Sequence, residues 1–227
     1  MKSVSVGFDE HRSEKLWVEI DSLLRETDLA IEGVDLFAVC IGPGGFTGLR
    51  VGIAAAKGFA VAAGKPIIGV TSLEATAANV TKTCQVLAML NAYKGEVYSQ
   101  LFSRQGDGAV VAENEPVVST LRFALERIQH VEQLVVAGEA AVELGHDVAA
   151  FADEIRPDGS PPSPRSWLIQ DTDSSTAEGV ARLALMRYGE GVRAEDVAAC
   201  YVKRPEAEIK LAKGLLGSKI DRVRRLG

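Results

Sequence analysis

The chain has 227 residues, 47% of them hydrophobic, and a formal net charge of −6 at neutral pH, enough to bury one large or two small cores. Three scattered cysteines (Cys40, Cys84, Cys200) and three histidines (His11, His130, His146), none three or four residues from another, exclude a disulfide framework, a CxxC metal site and a histidine pair on one helix. No run of 18 apolar residues occurs, and the amino terminus lacks a signal peptide's apolar stretch, so a cytoplasmic location without membrane attachment is expected.

Lys2 to Phe8 reads as a strand. Leu16, Ile20, Leu23 and Leu24 then mark one face of a helix over roughly His11 to Glu26, with Trp17 and Val18 off that stripe. Asp35 to Ile41 is apolar without helical period, which fits a strand buried on both faces of a parallel sheet. A glycine-rich turn and a helix reaching Ala63 follow, and Lys65 to Val70 closes a right-handed βαβ unit. A short helix is expected from Ser72 to about Val80.

The second half opens with Val86 to Ala92 and Glu96 to Phe102, a hairpin joined across Tyr93-Lys94-Gly95. A third strand is expected near Ala109 to Val118, a helix from Thr120 to about Gln129, a strand at Gln133 to Ala137 and a helix from Glu139 to about Ala150. Asp158 to Pro164 is an irregular loop, Thr176 to Tyr188 a helix, and Val197 to Val202 a short apolar run. The two halves share one plan, three strands preceding the helix-strand-helix series in the second and one in the first.

The glycine turn is the most informative stretch: Ile41-Gly42-Pro43-Gly44-Gly45-Phe46-Thr47-Gly48-Leu49-Arg50-Val51-Gly52. Gly42, Gly44, Gly45 and Gly48 permit conformations and close approaches that a Cβ forbids, and Thr47 is a candidate helix cap. A helix start after such a turn suits an anion, yet Thr47 stands where a dinucleotide fingerprint needs its third glycine, and Lys57-Gly58 reverses the order of a P-loop. A turn that merely packs helix onto strand fits equally. From Leu49 to Ala63 the only charges are Arg50 and Lys57, while Gly52, Ala56, Ala60 and Ala63 recur at helical spacing. Such a helix needs cover on two faces, one from the sheet and one from the chain's own first helix or a partner's.

Charge is unevenly spread. The last 18 residues carry Lys210, Lys213, Lys219, Arg222, Arg224 and Arg225 against Asp221, leaving −11 for the rest. That tail suits RNA or an acidic partner, or is simply a solvated terminal helix, since it has no aromatics to stack bases.

Gly42 to Gly52 closely resembles the signature of the TsaB family, also called YeaZ, written GPGSFTGLRIG. The resemblance continues through His11-Arg12-Ser13-Glu14-Lys15-Leu16, Gly69-Val70-Thr71-Ser72-Leu73-Glu74-Ala75, Asn91-Ala92-Tyr93-Lys94-Gly95-Glu96-Val97-Tyr98 and Tyr201-Val202-Lys203-Arg204, nearly the whole chain. It implies an α/β, actin-like ATPase fold of two ribonuclease-H-like halves, 1–84 and 85–227, the second carrying the terminal helices and basic tail. The family's opening hairpin, with its Asp-Thr-Ser turn, is expected to be missing from the first half, by a misassigned start or by a truncation that a partner makes good.

The resemblance also implies a role, that of an accessory subunit in making threonylcarbamoyladenosine beside the anticodon of ANN-decoding tRNAs. Its implied partners are the catalytic paralogue TsaD and the ATPase TsaE, with a homodimer when alone and tRNA met indirectly through the complex. In TsaD-like proteins the segment VHHMEGH holds a metal; laid on Val70 to Thr76, its ligand positions are Ser72 and Thr76, and hydroxyls do not replace imidazoles on a transition metal. No catalytic residue, cofactor or metal is therefore expected. The partner interface is expected at Trp17, Phe46, Thr47, Gly48, Leu49, Arg50, Gly52, Ala56, Phe59 and Ala60, with Trp17 and Phe59 as anchors or core. Two other classes remain: an actin-like nucleotide-binding ATPase, which needs an acidic residue on the opening hairpin, and a glycoprotease-like peptidase, which needs a nucleophile with a paired base.

Overall fold

The computed structural model describes residues 2–4, 12–154, 166–171 and 176–203. The expected strand at Lys2 to Phe8, the loop at Asp158 to Pro164 and the basic tail lie wholly or mostly outside these.

Helix α1 (Arg12–Glu26) leads through one 3-10 turn (Ile31–Gly33) into β1 (Phe37–Cys40). Helix α2 (Phe46–Ala63) ends at Gly64, left-handed at φ 64°, whose N–H reaches the carbonyls of Ala60 and Val61. Strand β2 (Ile67–Val70) then pairs with β1 in parallel, Phe37 opposite Ile67 and Cys40 opposite Val70. Helix α3 (Ser72–Ala78) starts with a capping box between Thr71 and Glu74. Only Val39 of β1 is buried, so this strand is less enclosed than its apolar run implies.

The hairpin β3 (Cys84–Asn91) and β4 (Glu96–Arg104) is antiparallel as expected. The anticipated third strand is two, β5 (Val110–Ala112) and β6 (Val117–Thr120), both antiparallel to β4. Between them Pro116 has no N–H to give, and Asn114 turns inward, its side chain accepting from the Leu101 N–H at 3.0 Å. Helix α4 (Leu121–Glu126) is capped by the Thr120 hydroxyl, and β7 (Gln133–Ala137) follows. The helix expected over 139–150 breaks at Leu144, just before Gly145, into α5 (Glu139–Glu143) and α6 (Gly145–Asp153). Strand β8 (Ser166–Gln170) was not legible in the sequence; it is an edge strand with no fully buried residue, parallel to β7. Among the described residues helix α7 (Thr176–Met186) is the last α-helix, followed by short 3-10 turns.

The second sheet runs β5-β4-β3-β7-β8, with β6 also on β4. Its two faces are covered differently. Phe102, Val86 and Val135 pack toward α3 and α7, while Leu87, Met89 and Leu134 pack toward α4, α5 and α6. A third cluster, including Val39, Ile53, Ala60 and Ile67, lies under α2.

Helices α3 and α7 exchange sides. Helix α3 follows β2 yet lies against β3 and β4, while α7 follows β8 yet packs on β1 and β2. They cross so closely that a Cβ at Gly179 would stand 2.2 Å from the Ala75 carbonyl oxygen. Arg187 adds an ion pair to Glu74 at 3.0 Å, and the Thr71 N–H and hydroxyl both donate to the same carboxylate at 2.9 Å. Replacing Gly179 by Ala must push the helices apart and is expected to cost about 3 kcal/mol in urea unfolding. Gly189→Ala, where nothing lies within 4 Å, should stay within about 0.5 kcal/mol of wild type.

Candidate functional site

The glycine turn between β1 and α2 is pinned from two neighbouring segments. The Ser72 N–H donates to the Gly42 carbonyl at 2.8 Å, and the Cys200 N–H donates to the Ile41 carbonyl at 2.8 Å. The Ser72 hydroxyl donates to the Pro43 carbonyl at 2.7 Å, which leaves its lone pairs for the Cys40 thiol at 3.0 Å. The Gly42-Pro43 bond is cis. Gly42 itself sits at φ +101°, and a Cβ there would meet the Cys200 carbonyl and the Leu49 side chain at 2.9 Å. The second sheet repeats the device: Gly138 after β7 has φ +109° and crowds the Met89 carbonyl.

Glycine is needed at Gly42 and not equally along the turn. Gly44 makes ordinary contacts, and a Cβ at Gly45, Gly48, Gly52 or Gly58 would meet nothing within 4 Å. Helix α2 begins at Phe46 with Gly45 as N-cap and no side-chain cap; Thr47, the expected cap, lies in the first turn. Among the described residues no group of three His, Cys, Asp or Glu could hold a metal. Ser72 and Thr76 are buried, and the Thr76 hydroxyl donates to the Ser72 carbonyl at 2.9 Å. Burial pushes the Cys200 thiol pKa up, and the nearby Glu74 charge adds to it, the reverse of what an activated nucleophile needs.

The expected interface residues fall into three groups. Phe46, Thr47, Gly48 and Arg50 are exposed at the start of α2. Leu49, Gly52, Ala56 and Phe59 are half-buried; the last three line a cavity of about 440 Å³ between α1, β1, α2 and α7. Ala60, 1% exposed, is core. Trp17, 51% exposed, sets its edge against Phe59 at 5.5 Å, and Phe59 stacks on Phe37 at 6.2 Å, so α1 and α2 meet within the chain. Sequence reasoning missed the outward face of α2. Val51, Ala54, Gly58 and Val61 follow one another at helical spacing of three and four; Ala54, Gly58 and Val61 are exposed and Val51 half-buried. Of the 18 residues of α2 only Ile53, Ala55 and Ala60 are buried. By length and composition alone this helix is apolar enough to cross a membrane, a test that core helices also pass.

On the other side of the turn lies an open, largely apolar cleft of about 420 Å³. Pro43 to Phe46 and Leu49 form one wall, the β3–β4 hairpin residues Tyr93 and Lys94 the other, with Tyr98 and Cys200 to Lys203 also lining it. Arg50 lies 3.8 Å above the Phe46 ring and donates from Nε to the Tyr201 hydroxyl at 3.4 Å; the Phe46 and Tyr201 rings are 5.7 Å apart. Tyr93 and Lys94 are both left-handed, at φ 60° and 58°, conformations that cost a bulky residue about 1 kcal/mol each. Lys203 reaches the Glu96 carboxylate at 2.6 Å and the Ala92 carbonyl at 3.2 Å. Burial pushes the Tyr98 phenol pKa up.

The chain is similar to known proteins. The family model described as TsaD, tRNA N6-adenosine threonylcarbamoyltransferase, matches residues 8–156. The tRNA threonylcarbamoyladenosine biosynthesis protein TsaB of Escherichia coli (strain K12) is 30% identical over 122 residues, 52% of this chain and 53% of that protein. The protein of the same name from Bacillus subtilis (strain 168) is 33% identical over 131 residues, 57% of this chain and 54% of that protein. The matches thus span about half the length of these curated relatives. A crystal structure of an uncharacterized protein with similarity to peptidase YEAZ from Pseudomonas aeruginosa superposes with a TM-score of 0.62 at 25% identity, covering 84% of this chain and 83% of that one.

The turn geometry separates its glycines by experiment. Gly42→Ala, at φ +101° against a backbone carbonyl, is expected to lose about 2 kcal/mol or more in denaturant unfolding. Gly48→Ala, on an open helical position, should instead gain up to about 1 kcal/mol in the isolated chain.

Proposed function

The chain belongs to the TsaD family, and from that premise we propose that it is a non-catalytic accessory subunit for threonylcarbamoyladenosine modification of ANN-decoding tRNAs. It binds and activates a TsaD-type catalytic paralogue in the cytoplasm, in a complex that also takes a TsaE-type ATPase, and it pairs with a second copy when alone. Proteins named for this biosynthesis are among its relatives. The chemistry on tRNA belongs to the paralogue, because Ser72 and Thr76 stand at the positions where TsaD-like proteins carry metal-holding histidines. The Ser72 hydroxyl is committed to the Pro43 carbonyl, and Glu74 to Thr71 and Arg187, so neither forms a nucleophile and base pair.

An actin-like arrangement of two ribonuclease-H-like halves, 1–84 and 85–227, accompanies this reading. Its support is the repeated series of strand, positive-φ glycine, helical segment, parallel strand and helix: β1 to α3 in one half and β7 to α7 in the other.

The observation that carries the proposal is the uncovered apolar outer side of α2, an 18-residue helix with three buried residues. A helix apolar on nearly all sides requires cover, and small residues along it allow a second helix to approach closely. Phe46, Thr47, Gly48 and Arg50 begin this surface, and Val51, Ala54, Gly58 and Val61 continue it. Gly52, Ala56, Phe59 and Trp17 lie beneath it where α1 and α2 meet, Leu49 packs against the glycine turn, and Ala60 ties the helix to the core.

The test is association with a TsaD-type partner together with reconstituted tRNA modification. Ala54→Arg should weaken association at least about 100-fold, roughly 2.7 kcal/mol, without lowering the melting temperature of the isolated chain. Ala56→Arg, in the half-buried seam, should lower both. Modification should require this chain; equal modification without it, or undiminished binding by Ala54→Arg, contradicts the proposal.

A further inference from the structure

We propose that the outer face of α2 is matched to an acidic helix: Arg50 and Lys57 each take a carboxylate of the TsaD-type partner, the two carboxylates standing two helical turns apart on its docking surface. The inference rests on the docking reading of α2 and adds the chemistry that the partner must present.

Three observations converge. The first is charge. The chain carries −6 overall, and every other described α-helix contains at least one Asp or Glu, whereas α2 has Arg50 and Lys57 and no acidic residue along its 18. The second is position. Seven residues set Arg50 and Lys57 about 10 Å apart along the axis on one side of the helix. Ala54 and Val61, both exposed, continue the same stripe at spacings of three and four. The two cations therefore lie inside the surface that a docked helix covers. The third is that both are unspent. Arg50 is held by the Phe46 ring 3.8 Å from its guanidinium carbon and by its Nε hydrogen bond to the Tyr201 hydroxyl at 3.4 Å. Among the described residues nothing takes its Nη groups, and no carboxylate pairs with it or with half-buried Lys57.

A cation closed under a partner with no carboxylate opposite loses water and gains nothing, so an uncharged helix would dock poorly on this stripe. A guanidinium already fixed by a ring and a hydroxyl loses little further freedom on pairing, and its two free Nη groups match the two oxygens of one carboxylate. A second copy offering this same face would bring four cations together. The acidic helix is therefore assigned to the partner and not to self-pairing through α2.

The experiment measures association of the full chain with the TsaD-type paralogue of the same genome at low and high salt, for wild type, Arg50→Met, Lys57→Met and Ala54→Arg. At low salt Arg50→Met should weaken association about tenfold and Lys57→Met about fourfold. At about 1 M salt, where screening acts within ~3 Å, both differences should narrow to about twofold. The melting temperature of each isolated methionine variant should match wild type. Carbodiimide, which condenses an amine with a carboxylate in contact with it, should join Lys57 to an Asp or Glu of the paralogue, read by mass spectrometry. Methionine variants that bind like wild type at both salts, while Ala54→Arg still weakens association, overturn this inference and leave the docking reading standing. A loss that persists unchanged at high salt also overturns it, since that would be packing and not pairing. If Ala54→Arg itself binds like wild type, the docking reading falls and this inference with it. Methionine variants that weaken self-association but not partner binding would put the carboxylates on a second copy, which overturns the inference too.

Discussion

The crossing of α3 and α7 is the contact on which the rest of the molecule depends. Each helix leaves the sheet it follows and lies against the other one, so neither sheet is completed without the opposite part of the chain. Gly179 lets the two backbones touch at Ala75, and the Glu74–Arg187 pair holds their angle. This pair is only partly buried, so its strength is moderated by solvent, and it is supported by two further hydrogen bonds from Thr71. The large apolar cluster around the crossing joins Val70 and Leu73 to Phe102 and Val135. A change at the crossing is therefore felt at both sheets.

That clamp also sets the glycine turn. Ser72, the first residue of α3, holds Gly42 and Pro43 through its N–H and hydroxyl, and the segment at Cys200 holds Ile41. Because the turn is fixed from these directions, it projects α2 away on one side and walls a cleft on the other. The outer side of α2 and the cleft share one rigid origin and meet at Phe46, which belongs to both.

Much of this was legible in residue order. The periodicity of Leu16, Ile20 and Leu24 finds α1, the apolar runs find β1, β2 and β7, and Tyr93-Lys94-Gly95 marks the β3–β4 hairpin. Where side chains compete with the ladder, prediction slipped: Asn114 and Pro116 divide one expected strand into two. Strand β8 escaped because an edge strand with no buried residue carries no hydrophobic pattern. At the site, the signature glycines were visible but their individual roles were not. Only the folded backbone distinguishes Gly42, forced to φ +101°, from Gly48, which faces open space. Likewise the small residues Gly52, Ala56 and Ala60 were legible as a stripe, yet they turn inward, and it is Ala54, Gly58 and Val61 that face out.

The proposed accessory role depends on α2 presenting that outward face to a TsaD-type protein. Hydrogen–deuterium exchange of the full chain, alone and with a TsaD-type partner, reads this directly. Protection on binding should concentrate in residues 46–63 and the adjoining turns of α1, with the α3–α7 crossing unchanged because it is already closed. Protection confined to the second sheet, with 46–63 exchanging as in the free chain, would contradict it.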